Sequence, residues 1–200
     1  MTSAQEEQTR ARLIDDLQKQ KVEKFAMRWL FDGVPHIFPD SPTNSDWKIK
    51  IAHMLKVDPC SVFIIGSGCT GISLNPNKGF KAFNDGSDID IAIVSGYHFE
   101  VAWRALRELG TGKYSLEPAA QAALKDHRES FLYWGTIATE KILNLLPFGE
   151  DWIRAAIEFG KKPPMEGREI KFRLYRDSYS LVSYHLNNLR NLQRDLLNRK

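Results

Sequence analysis

The chain has little of several things, and each shortage closes off a class of function. Its 200 residues hold two cysteines, Cys60 and Cys69, too few for a disulfide framework or a cysteine-rich zinc site. Unpaired thiols of this kind suit a reducing compartment, so a cytoplasmic location is expected. No run approaches the roughly 18 apolar residues of a membrane span, so no membrane association is expected. The polar opening MTSAQEEQTRAR lacks the apolar stretch of a secretory signal. Charge of one sign is not in strong excess: 28 Lys and Arg against 25 Asp and Glu leave +3. That is too weak to argue nucleic-acid binding by itself. The histidines His36, His53, His98, His127 and His185 show no ligand spacing such as H-x-x-x-H. Gly110-Thr111-Gly112-Lys113 falls short of a phosphate loop, because Arg107 and Tyr114 stand where Gly and Ser or Thr are required. No internal repeat or low-complexity tract is present.

What is there is an ordinary apolar fraction and a clear succession of periods. Residues 4–31 have helical composition, with Leu13, Leu17, Val22, Phe25 and Trp29 on one stripe. Residues 32–46 hold Gly33, Pro35, Pro39 and Pro42 and predict a loop. A short helix is expected over 46–56, then a short apolar strand at 62–65. Residues 73–87 are rich in Asn, Gly and Pro and favour a loop or hairpin. Residues 88–94 alternate, with Asp88 and Asp90 on one face and Ile89, Ile91 and Ile93 on the other. Helices are expected over 100–109, over 118–146 with a break at Trp134-Gly135, and over 152–159. Residues 169–175 alternate again as a third strand. Residues 179–198 form an amphipathic helix with Val182, Leu186, Leu189, Leu192 and Leu196 inward. The expected fold is α/β (α+β): a small mixed sheet wrapped by helices, with long helices at both ends. Its parts are an N-terminal helical segment (1–57), a core (58–176) and a C-terminal amphipathic helix (177–200).

The chemistry concentrates in VFIIGSGCTGISLNPNKGFKAFNDGSDIDIAIV, residues 62–94. An apolar strand ends in Gly66-Ser67, and glycine there lets backbone approach a phosphate. Ser67 either hydrogen-bonds a phosphate oxygen or caps a helix starting beside it. Asp88 and Asp90, two apart on a strand, aim their carboxylates the same way. Like charges so placed repel unless a cation joins them, and Mg2+ (or Mn2+) is the hard cation for such oxygens. A competing pattern is Gly66, Gly68 and Gly71 as a dinucleotide fingerprint. It requires a helix between the two strands and an acid at the end of the second strand. Residues 73–87 are not helical in composition, and the acids open the strand instead.

Gly66-Ser67 followed by Ser87-Asp88-Ile89-Asp90-Ile91 resembles the polymerase-beta-like nucleotidyltransferase superfamily. Within it the chain looks most like small standalone bacterial members, including those of toxin–antitoxin and phage-defence loci. The resemblance covers residues 62–94 closely and the rest by general layout. It implies a sheet backed by helices, metal on Asp88 and Asp90, and NTP phosphates near Gly66 and Ser67. Ser87 is a further nucleotide-binding candidate, placed to cap or orient the Asp pair. The spacer from Gly66 to Asp88 is longer than the family's usual one. Members often carry a third carboxylate on a later strand; here Glu169 is the only acid on the cleft face of 169–175. Lys171 and Arg173 share that face and would offset triphosphate charge, or serve only as solvated strand residues.

The function these features imply is transfer of an NMP from an NTP, ATP first, to a hydroxyl of a protein, RNA or nucleotide. The alternative is a catalytically weak or inactive protein of a bacterial antiviral defence or toxin–antitoxin system. It would sense a nucleotide at the same site, or dock a partner effector or a second copy through its terminal helices. Arg190, Arg194, Arg199 and Lys200 form a basic C-terminal face, ordinarily solvated and otherwise a contact for RNA phosphates.

Overall fold

The computed structural model describes residues 3–198; Arg199 and Lys200 of the basic face lie outside them. The helix expected over 4–31 is divided. α1 (Ser3–Lys19) ends before an extended Lys21, and α2 (Val22–Ala26) runs into a wide turn over Met27–Phe31. In that turn the Asp32 N–H reaches back five residues to the Met27 carbonyl at 2.9 Å. Asp16 braces the bend, accepting from Gln20 at 2.5 Å and from the Trp29 indole at 3.0 Å. The bend lets Leu13 and Leu17 meet Val22 and Phe25 in one apolar cluster.

α3 (Ser41–Leu55) starts earlier than expected, inside the stretch read as loop. Asp40 caps it, accepting from the Thr43 N–H at 2.8 Å. Pro42 sits in the first turn, where a missing N–H costs nothing. β1 (Val62–Ile65) leads into the single turn α4 (Ser67–Thr70). Strand β2 (Ile89–Val94) is followed by α5 (Gly96–Glu108), which starts before residue 100 because the Ser95 hydroxyl caps His98. α6 (Pro118–Asp126) is succeeded by irregular turns and then by β3 (Thr136–Ala138), a strand inside the stretch expected to be helical. α7 (Gly149–Phe159), β4 (Ile170–Tyr175) and α8 (Ser178–Asn198) complete the chain. Asp177 opens α8, accepting from the Ser180 N–H at 2.7 Å.

The fold is α+β, with one four-stranded mixed sheet in the order β1-β2-β4-β3. β1 runs antiparallel to β2, β2 parallel to β4, and β4 antiparallel to β3. Parity divides the sheet into two faces. One carries Ile89, Ile91, Ile93, Ile170, Phe172 and Leu174 and packs against α3, α5 and α7 through Trp47, Ile51, Phe99, Ala102 and Trp152. The fully buried Trp152 is the largest side chain here; truncating such a residue to alanine costs roughly 3–5 kcal/mol. α3 shares this core with the strands. The opposite face is apolar only toward one end, where Ala92 and Tyr175 meet Ile65 and Leu181 of α8. Leu189 and Leu192, further along α8, pack on α1 and α2 and on Ile72 and Phe80 of the long spacer. The other end of that face keeps the polar teeth Asp90 and Lys171. Among the described residues no helix is long and apolar enough to cross a membrane.

Candidate active site

Gly66 makes the bend after β1 with φ +66° and ψ −152°, a conformation restricted to glycine. It also occupies the N-cap of α4, so Ser67 is the first residue of the turn, not its cap. The turn closes through the Gly71 N–H on the Ser67 carbonyl at 2.9 Å, and the Thr70 hydroxyl contacts the Gly66 and Ile72 carbonyls. α4 is too short to act as an extended helix dipole.

Antiparallel pairing of Ile65 with Asp90 carries the second aspartate beneath this bend. A Cβ on Gly66 would stand 2.8 Å from Asp90 Oδ2, so the missing side chain is what admits the carboxylate. Burial raises the Asp90 pKa. The charge of Arg173 pulls it back down, that of Glu140 pushes it up, Lys171 lowers it and Asp88 raises it. Asp88 precedes β2 and is more exposed; its Oδ2 accepts from Lys171 Nζ at 2.7 Å.

The register places Lys171 directly beside Asp90, and Arg173 beside Ala92. Lys171 also stands 3.5 Å from Glu169 Oε2. Burial alone would depress its pKa, but the bond to Asp88 and the charges of Asp88, Glu169 and Glu140 outweigh that and hold it above the ordinary value. Arg173 is cradled by the Phe131 and Tyr184 rings, at 5.2 and 5.5 Å, and donates to the Tyr184 hydroxyl at 3.2 Å.

The site therefore gathers Gly66, Ser67, Asp88, Asp90, Lys171 and Arg173 on one end of one sheet face. Glu169 borders it, with its side chain 68 % exposed and paired to Lys171. Ser87 does not point its hydroxyl to the site: Oγ accepts from the Asn84 N–H at 3.0 Å and shapes the turn before Asp88. Two contributors escaped the sequence. Glu140, just past β3, lies near enough for its charge to act on both Asp90 and Lys171. Its only signal was β3 itself, which a helical reading of 118–146 concealed. Arg168 ties down the spacer, donating to the Asn84 and Ser87 carbonyls and to Asp85 Oδ1 while lying 4.5 Å over the Phe83 ring. It is 84 residues from Asn84 in sequence, so no local pattern announces it.

The donor set fits a hard cation. Mg2+ is held by one or two carboxylates, its remaining positions going to water and phosphate oxygens, and Asp88 and Asp90 supply two. Among the described residues no group of three His, Cys, Asp or Glu side chains is placed to hold a metal ion; Glu169, the expected third acid, is exposed and paired with Lys171, which also holds Asp88. Comparison of the chain with protein-family models, with curated proteins and with solved structures gives no match.

Proposed function

We propose that the chain is a metal-dependent nucleotidyltransferase that moves an NMP from an NTP to a hydroxyl. The observation carrying this reading is the Asp90 carboxylate lodged against a glycine bend that only glycine can form. It puts an acid within reach of the backbone that would face phosphates. Asp88 and Asp90 would hold Mg2+ or Mn2+, which supplies charge neutralisation for the triphosphate. Ser67 faces the phosphates, while Lys171 and Arg173 offset the negative charge of the leaving group. The acceptor oxygen bonds to the α-phosphorus, the bridging P–O bond to the β-phosphate breaks, and pyrophosphate departs. The proton lost by the acceptor hydroxyl passes to solvent.

The test is incubation of α-labelled ATP with wild type and with Asp88→Ala/Asp90→Ala, in Mg2+, Mn2+ or EDTA, over protein, RNA and nucleotide acceptors. Label transfer by wild type alone, and only with divalent ion, is expected. Equal transfer by both proteins removes the assignment.

A second reading rests on the Lys171–Asp88 pair, which already satisfies one of the two metal-binding carboxylates. In this reading the site senses a nucleotide without consuming it, as part of a bacterial defence or toxin–antitoxin system. Calorimetric NTP binding without pyrophosphate release distinguishes it from transfer.

A further inference from the structure

A cavity of about 550 Å3 lies between α5, the 110–116 turn, α6 and the turns that follow it. That volume is within the roughly 300–1,000 Å3 range of small-ligand sites. None of Gly66, Ser67, Asp88, Asp90, Lys171 or Arg173 lines it. It opens beside α5, whose Phe99 and Ala102 pack on the sheet face opposite the carboxylates.

Its walls are held in place. Gln121 donates to the Tyr114 and Leu116 carbonyls at 3.3 and 2.8 Å and fastens the turn to α6. Buried His127 accepts from the Ala138 N–H at 2.9 Å through Nε2, so its Nδ1 carries the proton given to the Ala123 carbonyl. That ring is a strut from β3 to α6 with no valence left for a ligand.

The lining has two characters. The interior is apolar, from Leu106, Leu124 and Leu132 with the half-buried Trp103 ring, and the exposed Tyr114 ring joins the lining. The charged residues are Arg107, Lys113, Lys125 and Arg128, without a single acid, in a chain whose acids and bases nearly balance. Among the described residues Arg107, Lys113 and Lys125 make no ion pair, and Arg128 only a 3.7 Å contact with its neighbour Glu129. Arg107 and Lys113 lie over the Trp103 and Tyr114 rings, at 4.4 and 5.1 Å.

We propose that this cavity is a second ligand site, shaped for a nucleoside polyphosphate whose base enters the apolar slot and whose phosphates meet the cationic rim. A bare inorganic anion would leave the apolar walls and both rings unused. A fatty acid would fill them but set one carboxylate against four cations. A planar ring joined to several phosphate charges satisfies both parts, and guanidinium and ammonium groups are the usual partners of phosphate oxygens. No carboxylate lines the cavity, so binding here needs no divalent ion. The proposal stands apart from the transferase reading.

The experiment titrates ADP into the full chain in EDTA by calorimetry and maps the attachment of 8-azido-ADP by peptide mass spectrometry. Saturable 1:1 binding is expected, with label in peptides from residues 103–132. Lys125→Glu/Arg128→Glu, two exposed positions with no buried contacts to lose, should weaken ADP by about tenfold or more. Absence of saturable binding, label confined to residues 62–90, unchanged affinity in the variant, or binding of oligonucleotides alone would each overturn the proposal.

Discussion

Gly66→Ala separates two costs that the bend combines. The first is backbone: at φ +66° and ψ −152° an L-residue is strained by about 1–3 kcal/mol. The second is steric, since the new Cβ meets Asp90 Oδ2 at 2.8 Å while Asp90 Cγ and Cβ stay at 3.6 and 3.7 Å, ordinary contact distances. Only the carboxylate tip is in the way, and rotation of a short side chain relieves it. The backbone cost is therefore the larger in stability, and the steric cost appears as displacement of the carboxylate. A loss near 2 kcal/mol corresponds to a melting temperature lower by roughly 4–8 °C for a chain of this size. Thermal and urea unfolding of wild type, Gly66→Ala, Asp90→Ala and the double variant measure both parts. Most of the Gly66→Ala loss should persist without the Asp90 carboxylate, leaving a coupling of about 1 kcal/mol or less. No loss of stability in Gly66→Ala refutes the strained bend. A loss that vanishes entirely in the Asp90→Ala background refutes the ranking of the two costs.

Asp90→Asn should stabilise the protein at neutral pH. Because burial raises the Asp90 pKa, the folded state binds a proton more tightly than the unfolded chain, and stability contributed by this group falls as pH rises above 3.8 toward the folded value. The gain over wild type in unfolding experiments should shrink as pH falls from the folded value toward 3.8 and be gone below it, where Asp90 is neutral in both states; a gain that grows in acid contradicts the sign. Thiol labelling gives a separate check on burial. Cys60 is exposed, whereas burial pushes the Cys69 thiol up to about 12. Iodoacetamide should modify Cys60 alone in the native protein and reach Cys69 only after denaturation.

The parts of the fold legible in the sequence are those where period and chemistry agree. Ile89, Ile91 and Ile93 face the core and Asp90 does not, as strict alternation requires. The same parity turned Lys171 and Arg173 to the Asp90 face. What misled was punctuation and length. Pro42 suggested a loop because proline breaks helices, yet at the first turn it begins one. β3 has three residues, too few for a period to show, and is fixed by side-chain bonds to a partner strand far along the chain. Thr136 and Thr139 donate to the Leu174 and Phe172 carbonyls at 3.0 and 2.8 Å. Missing β3 removed Glu140 from consideration, so the charge balance of the site could not be foreseen.

That balance separates the two proposed nucleotide sites. Around Asp90 the acids Asp88, Asp90, Glu169 and Glu140 outnumber the bases Lys171 and Arg173, so four negative and two positive groups give a net charge of −2. A bare triphosphate is repelled there. One divalent cation cancels the excess, so nucleotide affinity at this face should depend on metal whether the nucleotide is then transferred or merely sensed. At the cavity beside α5 the lining charge has the opposite sign, and divalent cations compete with the protein for the phosphates. Mg2+ should therefore strengthen nucleotide binding at the carboxylates and weaken it at the cavity. A single titration series over Mg2+ concentration assigns any bound nucleotide to one face or the other before a residue is changed.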